Sequence, residues 1–360
     1  MAFSIALSIL LSGLSITFKR SKLITIFFFI FIWLMFGWNY WNGDYDAYRI
    51  LYDSRWELFL LTEYETGYQI LMFLGNLFDL SFQQFFIILS GVILLLWIRI
   101  VFKLSLHPAY FTFCFFIVFI PLDYVLVRNF LAFSIVMQGV VSVFNDSSFK
   151  YPKFIFAVLL AATIHITSIF YILLLFAFRP KVLSIKKIVL VICVGLCVLF
   201  LFREHLMQIV SSYTLERDEI YKSSLRSFVS YSTIQVLSYL VILHFYNKAK
   251  KKMVNQDMLI TKYQKQTLIN TMILNSNIIL FILIILYTTV AITIRIFRLW
   301  GIVNVLYITN IIFDKNNKDA IKPLDVIIFI LYLFYFFIEF IYTVLDDTLF
   351  SLYKYNLIFH

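Results

Sequence analysis

Residues 23–41 read LITIFFFIFIWLMFGWNYW, nineteen positions without a charge. A run of that length crosses the hydrocarbon core of a bilayer as a helix, the form in which a single segment satisfies its own backbone there. Trp38, Tyr40 and Trp41 close the run with rings that settle at the headgroup level. Directly after them comes NGDYDAYRILYD, residues 42–53, where Asp44, Asp46 and Asp53 crowd among tyrosines. Further out, the whole chain of 360 residues follows the same pattern: it is 62% hydrophobic, more apolar surface than a soluble core of this size buries. With 9 glycines and 5 prolines it lacks the turn formers of a spanning barrel. The composition therefore defines an all-α polytopic membrane protein.

Apolar windows long enough to cross, or nearly so, lie at 2–18, 23–41, 82–98, 109–122, 128–144, 187–202, 228–246, 268–290, 294–313 and 324–345. With two ambiguous stretches this predicts about 10–12 transmembrane helices. The stretches at 67–80 and 154–178 read as short or re-entrant helices, the second interrupted by Thr163, His165, Thr167 and Ser168. The first window has no basic flank before it and Lys19, Arg20 and Lys22 after it, the reverse of a signal peptide, so it reads as a retained span. Placing the Lys19–Lys22 turn in the cytoplasm puts 20 of the 30 Lys and Arg residues inside. The opposite topology would export the basic loop 247–267, against the positive-inside bias. On this reading both termini are extracytoplasmic and residues 1–360 form one integral membrane domain, with outer loops at 42–66 and 203–227. The net charge of +10 falls in short loops between apolar runs, which points to the membrane surface and to no nucleic-acid partner. Cys114, Cys193 and Cys197 sit in apolar stretches without a CxxC pair and read as packing residues.

The polar residues that look costly gather at or near the predicted outer face: Asp44, Asp46, Glu63, Glu65, Arg128, His165, Arg295 and Arg298. Arg128, Arg295 and Arg298 each stand near the start of a span, at the positive end of the helix dipole. A bound phosphate turns that placement from unfavourable to favourable, and Arg295 and Arg298, three apart, share one helix face. Snorkelling to the headgroups is the plain alternative. His165, in LLAATIHITSIF, needs polar partners, which Thr163, Thr167 and Ser168 can supply; it suits a satisfied core histidine or a catalytic one. Asp44 and Asp46 have the DxD spacing of metal-dependent sugar transferases, and a solvated loop explains them equally. Gly67 permits close packing at the start of the short helix. No Walker loop, dinucleotide fingerprint, HExxH or GxSxG occurs, and no cofactor and no metal is expected.

Together Gly43-Asp44-Tyr45-x-x-Tyr48, Glu65-x-Gly67-Tyr68, Arg128-Asn-x-Leu131-Ala132, His165-x-x-Ser168, the late arginine pair and the tyrosine-rich tail resemble the EpsG-like branch of Wzy-type polysaccharide polymerases. Asn129 and Thr167 depart from that pattern. The resemblance implies a glycosyltransferase that joins undecaprenyl-diphosphate-linked oligosaccharide repeat units on the outer face of a bacterial plasma membrane, building capsule or exopolysaccharide. It implies catalytic roles for His165, Asp44 or Glu65, diphosphate contacts from Arg128, Arg295 and Arg298, and glycan contacts from Tyr45, Tyr48, Tyr68 and Trp41. Its partners would be the lipid-linked oligosaccharide, membrane lipids, and a chain-length regulator and flippase of the same pathway. Two rivals remain: a C-type membrane glycosyltransferase using a lipid-monophosphate sugar, and a flippase or transporter of lipid-linked oligosaccharide.

Overall fold

The computed structural model describes residues 1–54, 65–145, 148–184, 186, 188–190, 193–194, 197, 224–254, 260–287, 293–313 and 321–359. These residues form helices and no strand. The longer ones, in chain order, are α1 (Ala2–Thr17), α2 (Lys22–Gly37), α3 (Tyr45–Asp53), α4 (Thr66–Leu77), α5 (Phe82–Leu104), α6 (Pro108–Val118), α7 (Val127–Phe144), α8 (Lys150–Ile164), a 3-10 segment (Ile166–Phe176), α9 (Leu225–Val254), α10 (Ile260–Leu280), α11 (Ile294–Ile312) and α12 (Pro323–Phe340). Among the described residues, six stretches are long and apolar enough to cross a membrane: Phe82–Leu104, Val127–Phe144, Leu225–Lys251, Gln266–Leu286, Ile294–Ile312 and Pro323–Phe340. The expected short element at 67–80 is the 12-residue α4. The stretch 154–178 divides at His165 into α8 and the 3-10 segment. Most of the expected window at 187–202, Glu63 and nearly all of the loop 203–227 lie outside the described residues, as does the middle of the basic loop.

Helix starts follow from capping chemistry. Ser81 caps α5 reciprocally with Gln84: its hydroxyl accepts from the Gln84 N–H at 3.3 Å and the Gln84 side chain accepts from the Ser81 N–H at 2.9 Å. Ser21 does the same one-sidedly for α2, and Pro108 opens α6, where its missing N–H costs nothing.

The chain forms two compact units, Met1–Ile169 with Leu333–His360, and Phe170–Tyr332. In the first, aromatic side chains join α2 to α6 (Phe28 to Phe116, ring centroids 5.2 Å apart) and α5 to α7 (Trp97 stacked on Phe130 at 5.8 Å). Gly139 of α7 lets α8 approach until a Cβ there would stand 2.9 Å from the Phe154 Cα. The C-terminal tail returns to the end of α2: Tyr40 and Leu357 N–H donate to the carbonyls of Tyr355 and Trp38, each at 2.9 Å, and the Asn356 amide donates to Leu34 O at 2.9 Å. The tyrosine-rich tail thus braces the segment that leads into NGDYDAY. Cys114 is buried in α6, while Cys193 and Cys197 are exposed.

The second unit binds its spans with buried polar pairs. Asn277 of α10 and Asn304 of α11 exchange two amide hydrogen bonds of 2.8 Å, and Asn275 donates to the carbonyls of Ala177 and Lys181 at 3.2 and 2.9 Å. In an apolar surrounding such groups need one another, because neither lipid nor side chains of Leu offer a partner. Asn277→Leu strands the Asn304 amide and is expected to lower stability by about 1–3 kcal/mol. Thermal unfolding in detergent measures this, and the Asn277→Leu/Asn304→Leu double variant should recover part of the loss.

Candidate functional site

Three motifs that lie far apart in the sequence meet at helix ends in the first unit. Glu65 precedes α4 in an extended conformation, and its carbonyl accepts the first turn's N–H groups from Tyr68 and Gln69. Arg128 is the second residue of α7. His165 ends α8 with an extended backbone (φ −152°, ψ 110°), after Thr163 and Ile164, whose β-branching lowers helix propensity slightly. That break turns the Ile166 N–H out of the helical ladder, and it donates to Glu65 Oε1 at 3.1 Å.

The Glu65 carboxylate is the hub. Arg128 Nη1 donates to its Oε2 at 2.8 Å, and His165 Nδ1 lies 3.2 Å from Oε1. All three side chains are mostly covered, at 18% exposure for Arg128 and Glu65 and 12% for His165. Two rings enclose the guanidinium: its carbon stands 5.5 Å from the Tyr48 ring centre and 5.7 Å from that of Tyr68, and Nε donates to the Tyr48 hydroxyl at 3.3 Å. Burial alone would raise the Glu65 carboxyl, but the hydrogen bond with His165 and the charge of Arg128 outweigh it and hold the group at about 2. Glu65 is therefore an anion at any physiological pH, which makes it the acceptor and His165 Nδ1 the donor. Whenever the imidazole is neutral, its acceptor lone pair is then on Nε2.

That depressed value has a stability consequence. The folded state holds Glu65 below its ordinary 4.5, so the contribution is complete above that value and disappears as the pH falls toward 2. A shift of that size corresponds to about 3 kcal/mol. Unfolding in detergent between pH 5 and pH 2.5 should show the wild type losing stability over this window more steeply than Glu65→Gln does; equal slopes would contradict the ion-paired geometry.

Gly67 is what allows the approach. A Cβ on it would stand 2.7 Å from the Thr163 carbonyl oxygen, with the Thr163 hydroxyl closer still. Such contact leaves room for hydrogen only, and it sets the start of α4 against the end of α8, Glu65 beside His165.

The other residues singled out in the sequence have separate places. Asp44 is half-buried ahead of α3, with its N–H held by the Asn42 side chain at 3.0 Å, and no hydrogen bond among the described residues joins its carboxylate to the Glu65 cluster. Tyr45 is buried, its hydroxyl donating to Gln83 Oε1 at 2.7 Å and its ring packed on Phe82 and Phe86. Trp41 packs against Tyr355 of the tail at 4.8 Å. Tyr68 is fully covered and Tyr48 nearly so, both committed to Arg128. Arg295 and Arg298 belong to the second unit, on α11, where Arg298 is 2% exposed. The hydroxyls beside His165 are not the ring's chief partner: Ser168 meets His165 through its backbone N–H, and Thr163 donates to Leu160 O. Two contributors escaped sequence reading. The Ile166 N–H carries no residue signature; Gln83, which also donates to Gly37 O at 2.7 Å, was visible as a polar residue opening a span.

Fold and site together define an all-helical, multi-pass membrane protein that keeps an Arg–Glu–His cluster under cover at the ends of three helices. A model of the EpsG family matches residues 22–357, and the chain belongs to that family, a Wzy-like polymerase family. No curated protein and no solved structure matches the sequence. Family membership makes it a polysaccharide polymerase-like membrane protein.

Proposed function

We propose that the protein joins undecaprenyl-diphosphate-linked oligosaccharide repeat units by glycosyl transfer on the outer face of a bacterial plasma membrane. The observation that carries this reading is Glu65 set against His165 Nδ1 with Arg128 on its other oxygen. A carboxylate on one nitrogen fixes the tautomer, orients the ring and stabilises the imidazolium formed when the other nitrogen takes a proton. In the reaction, Nε2 removes the proton of the acceptor hydroxyl as its oxygen bonds to C1 of the donor. The C1–O bond to the diphosphate breaks, its electron pair leaves with the lipid diphosphate, and the imidazolium returns its proton to water. Glu65 itself, held at about 2, is too weak a base for this step and serves as the orienting anion. Arg128 is engaged with Glu65 and two tyrosines, so in this reading it positions Glu65; diphosphate contacts from Arg295 and Arg298 are carried over from the family resemblance alone. Sugar contacts fall to Asp44 and Trp41, which are only partly covered, since Tyr45, Tyr48 and Tyr68 are buried.

The ten crossings and extracytoplasmic termini of the hydropathy reading belong to this proposal, beside the six helices that are long and apolar enough to cross a membrane among the described residues. Deletion of the gene tests the function. Cells should then accumulate a single lipid-linked repeat unit, and the wild-type chain should restore a ladder of polymer. Loss of the unit itself would instead make the protein a single-sugar transferase, and an unchanged ladder would remove the proposal.

A further inference from the structure

An apolar cavity of about 750 Å³ lies between α4, α5, α7 and α8, all within the first unit. Every residue lining it is aliphatic, phenyl-bearing or glycine, with no hydrogen-bonding side chain among them. One side is open, since Phe78, Ile88, Val92 and Leu160 of its wall are 72%, 52%, 45% and 43% exposed. An opening walled only by apolar side chains suits a hydrocarbon chain.

The cavity is lined by helix segments next in sequence to the polar cluster. Its wall includes Ile164, the residue before His165; Leu131, three after Arg128 and so on the same face of α7; and Leu71, four after Gly67 on α4. Apolar burial cannot by itself draw a hydrocarbon tail out of the bilayer, because lipid is as apolar as the groove. An occupant held there must be anchored by its headgroup at the adjoining cluster. This argument rests on the proposed glycosyl transfer. A base must lie within hydrogen-bond reach of the acceptor hydroxyl as that oxygen closes on the donor's C1. The donor's diphosphate is bonded to that carbon, and its lipid follows immediately; the acceptor's lipid is a whole repeat unit further away.

We infer that this groove receives the first isoprene units of the donor's polyprenyl diphosphate, and that the acceptor's lipid lies elsewhere. The groove, of a size with ordinary small-molecule sites, takes only the part of a long chain next to the diphosphate and leaves the rest in the bilayer.

The test uses the full chain in nanodiscs and, as probe, a polyprenyl diphosphate carrying one sugar. Val92→Trp and Leu160→Trp each push an indole into the groove from an exposed position on a different helix, so both should fold. Leu95→Trp, 66% exposed on α5 and outside the groove, is the control. Probe affinity is expected to fall about tenfold or more in both groove variants and to hold in the control. A photoreactive side chain at position 92 should capture the probe, and excess phospholipid should not compete. Unchanged affinity in both groove variants, or capture abolished by phospholipid, would overturn the assignment and leave the polymerase reading standing. Failure of the deletion phenotype alone would remove the catalytic argument while the binding result remained.

Discussion

His165→Ala is expected to reach the membrane in normal amounts and to lower chain extension by about 10²- to 10⁴-fold, the range in which positioned general bases contribute. The substitution removes Nε2, where the acceptor's proton goes, and leaves Glu65 paired with Arg128. Measured on isolated membranes with lipid-linked repeat units, the product should remain a single unit while ladder bands vanish. Normal long polymer from His165→Ala would exclude the imidazole as base and return the role to Asp44.

Gly67→Ala should be nearly as damaging, though it removes no functional group. One methyl placed 2.7 Å from the Thr163 carbonyl oxygen forces α4 away from α8. Overpacking of this kind costs about 1–3 kcal/mol when the structure yields, and here the yielding draws Glu65 from His165. Misplacement by about an ångström at a catalytic contact costs on the order of 10²-fold in rate. Polymer length and the acid-stability slope assigned to Glu65 should therefore change together. Thr163→Ala should not rescue the variant, because the obstacle includes the backbone carbonyl. Full rescue would show that only the Thr163 side chain stood in the way and would sink the argument for a backbone-to-backbone approach.

Much of the fold was legible before any coordinates. Uncharged runs as long as a bilayer is thick have one stable form, so helices, spans and the breaks at 67–80 and 154–178 followed from hydropathy and from four polar residues in an apolar stretch. The reading was less sharp where neutral amides were concerned. Asn275, Asn277 and Asn304 merely lower the hydropathy of their helices, and nothing in their spacing says that two of them exchange hydrogen bonds across α10 and α11.

For the site, the sequence by itself marked Glu65, Gly67, Arg128 and His165, because charge, imidazole and a lone glycine are all expensive or unusual beside membrane helices. It also set the span pattern that brings them to helix ends. It assigned each residue to a ligand separately, since one-dimensional spacing carries no information about groups 63 or 100 positions apart. Only the tertiary structure decided that Arg128 and His165 share one carboxylate, and that Tyr48 and Tyr68 enclose a guanidinium. It also put Tyr45 on Gln83 and Trp41 on the tail. The physical reason is the geometry of close packing: a glycine without a side chain and a helix that stops at His165 bring three charged or polar groups within hydrogen-bond range. In that low-polarity surrounding their mutual attraction outweighs the cost of removing them from water.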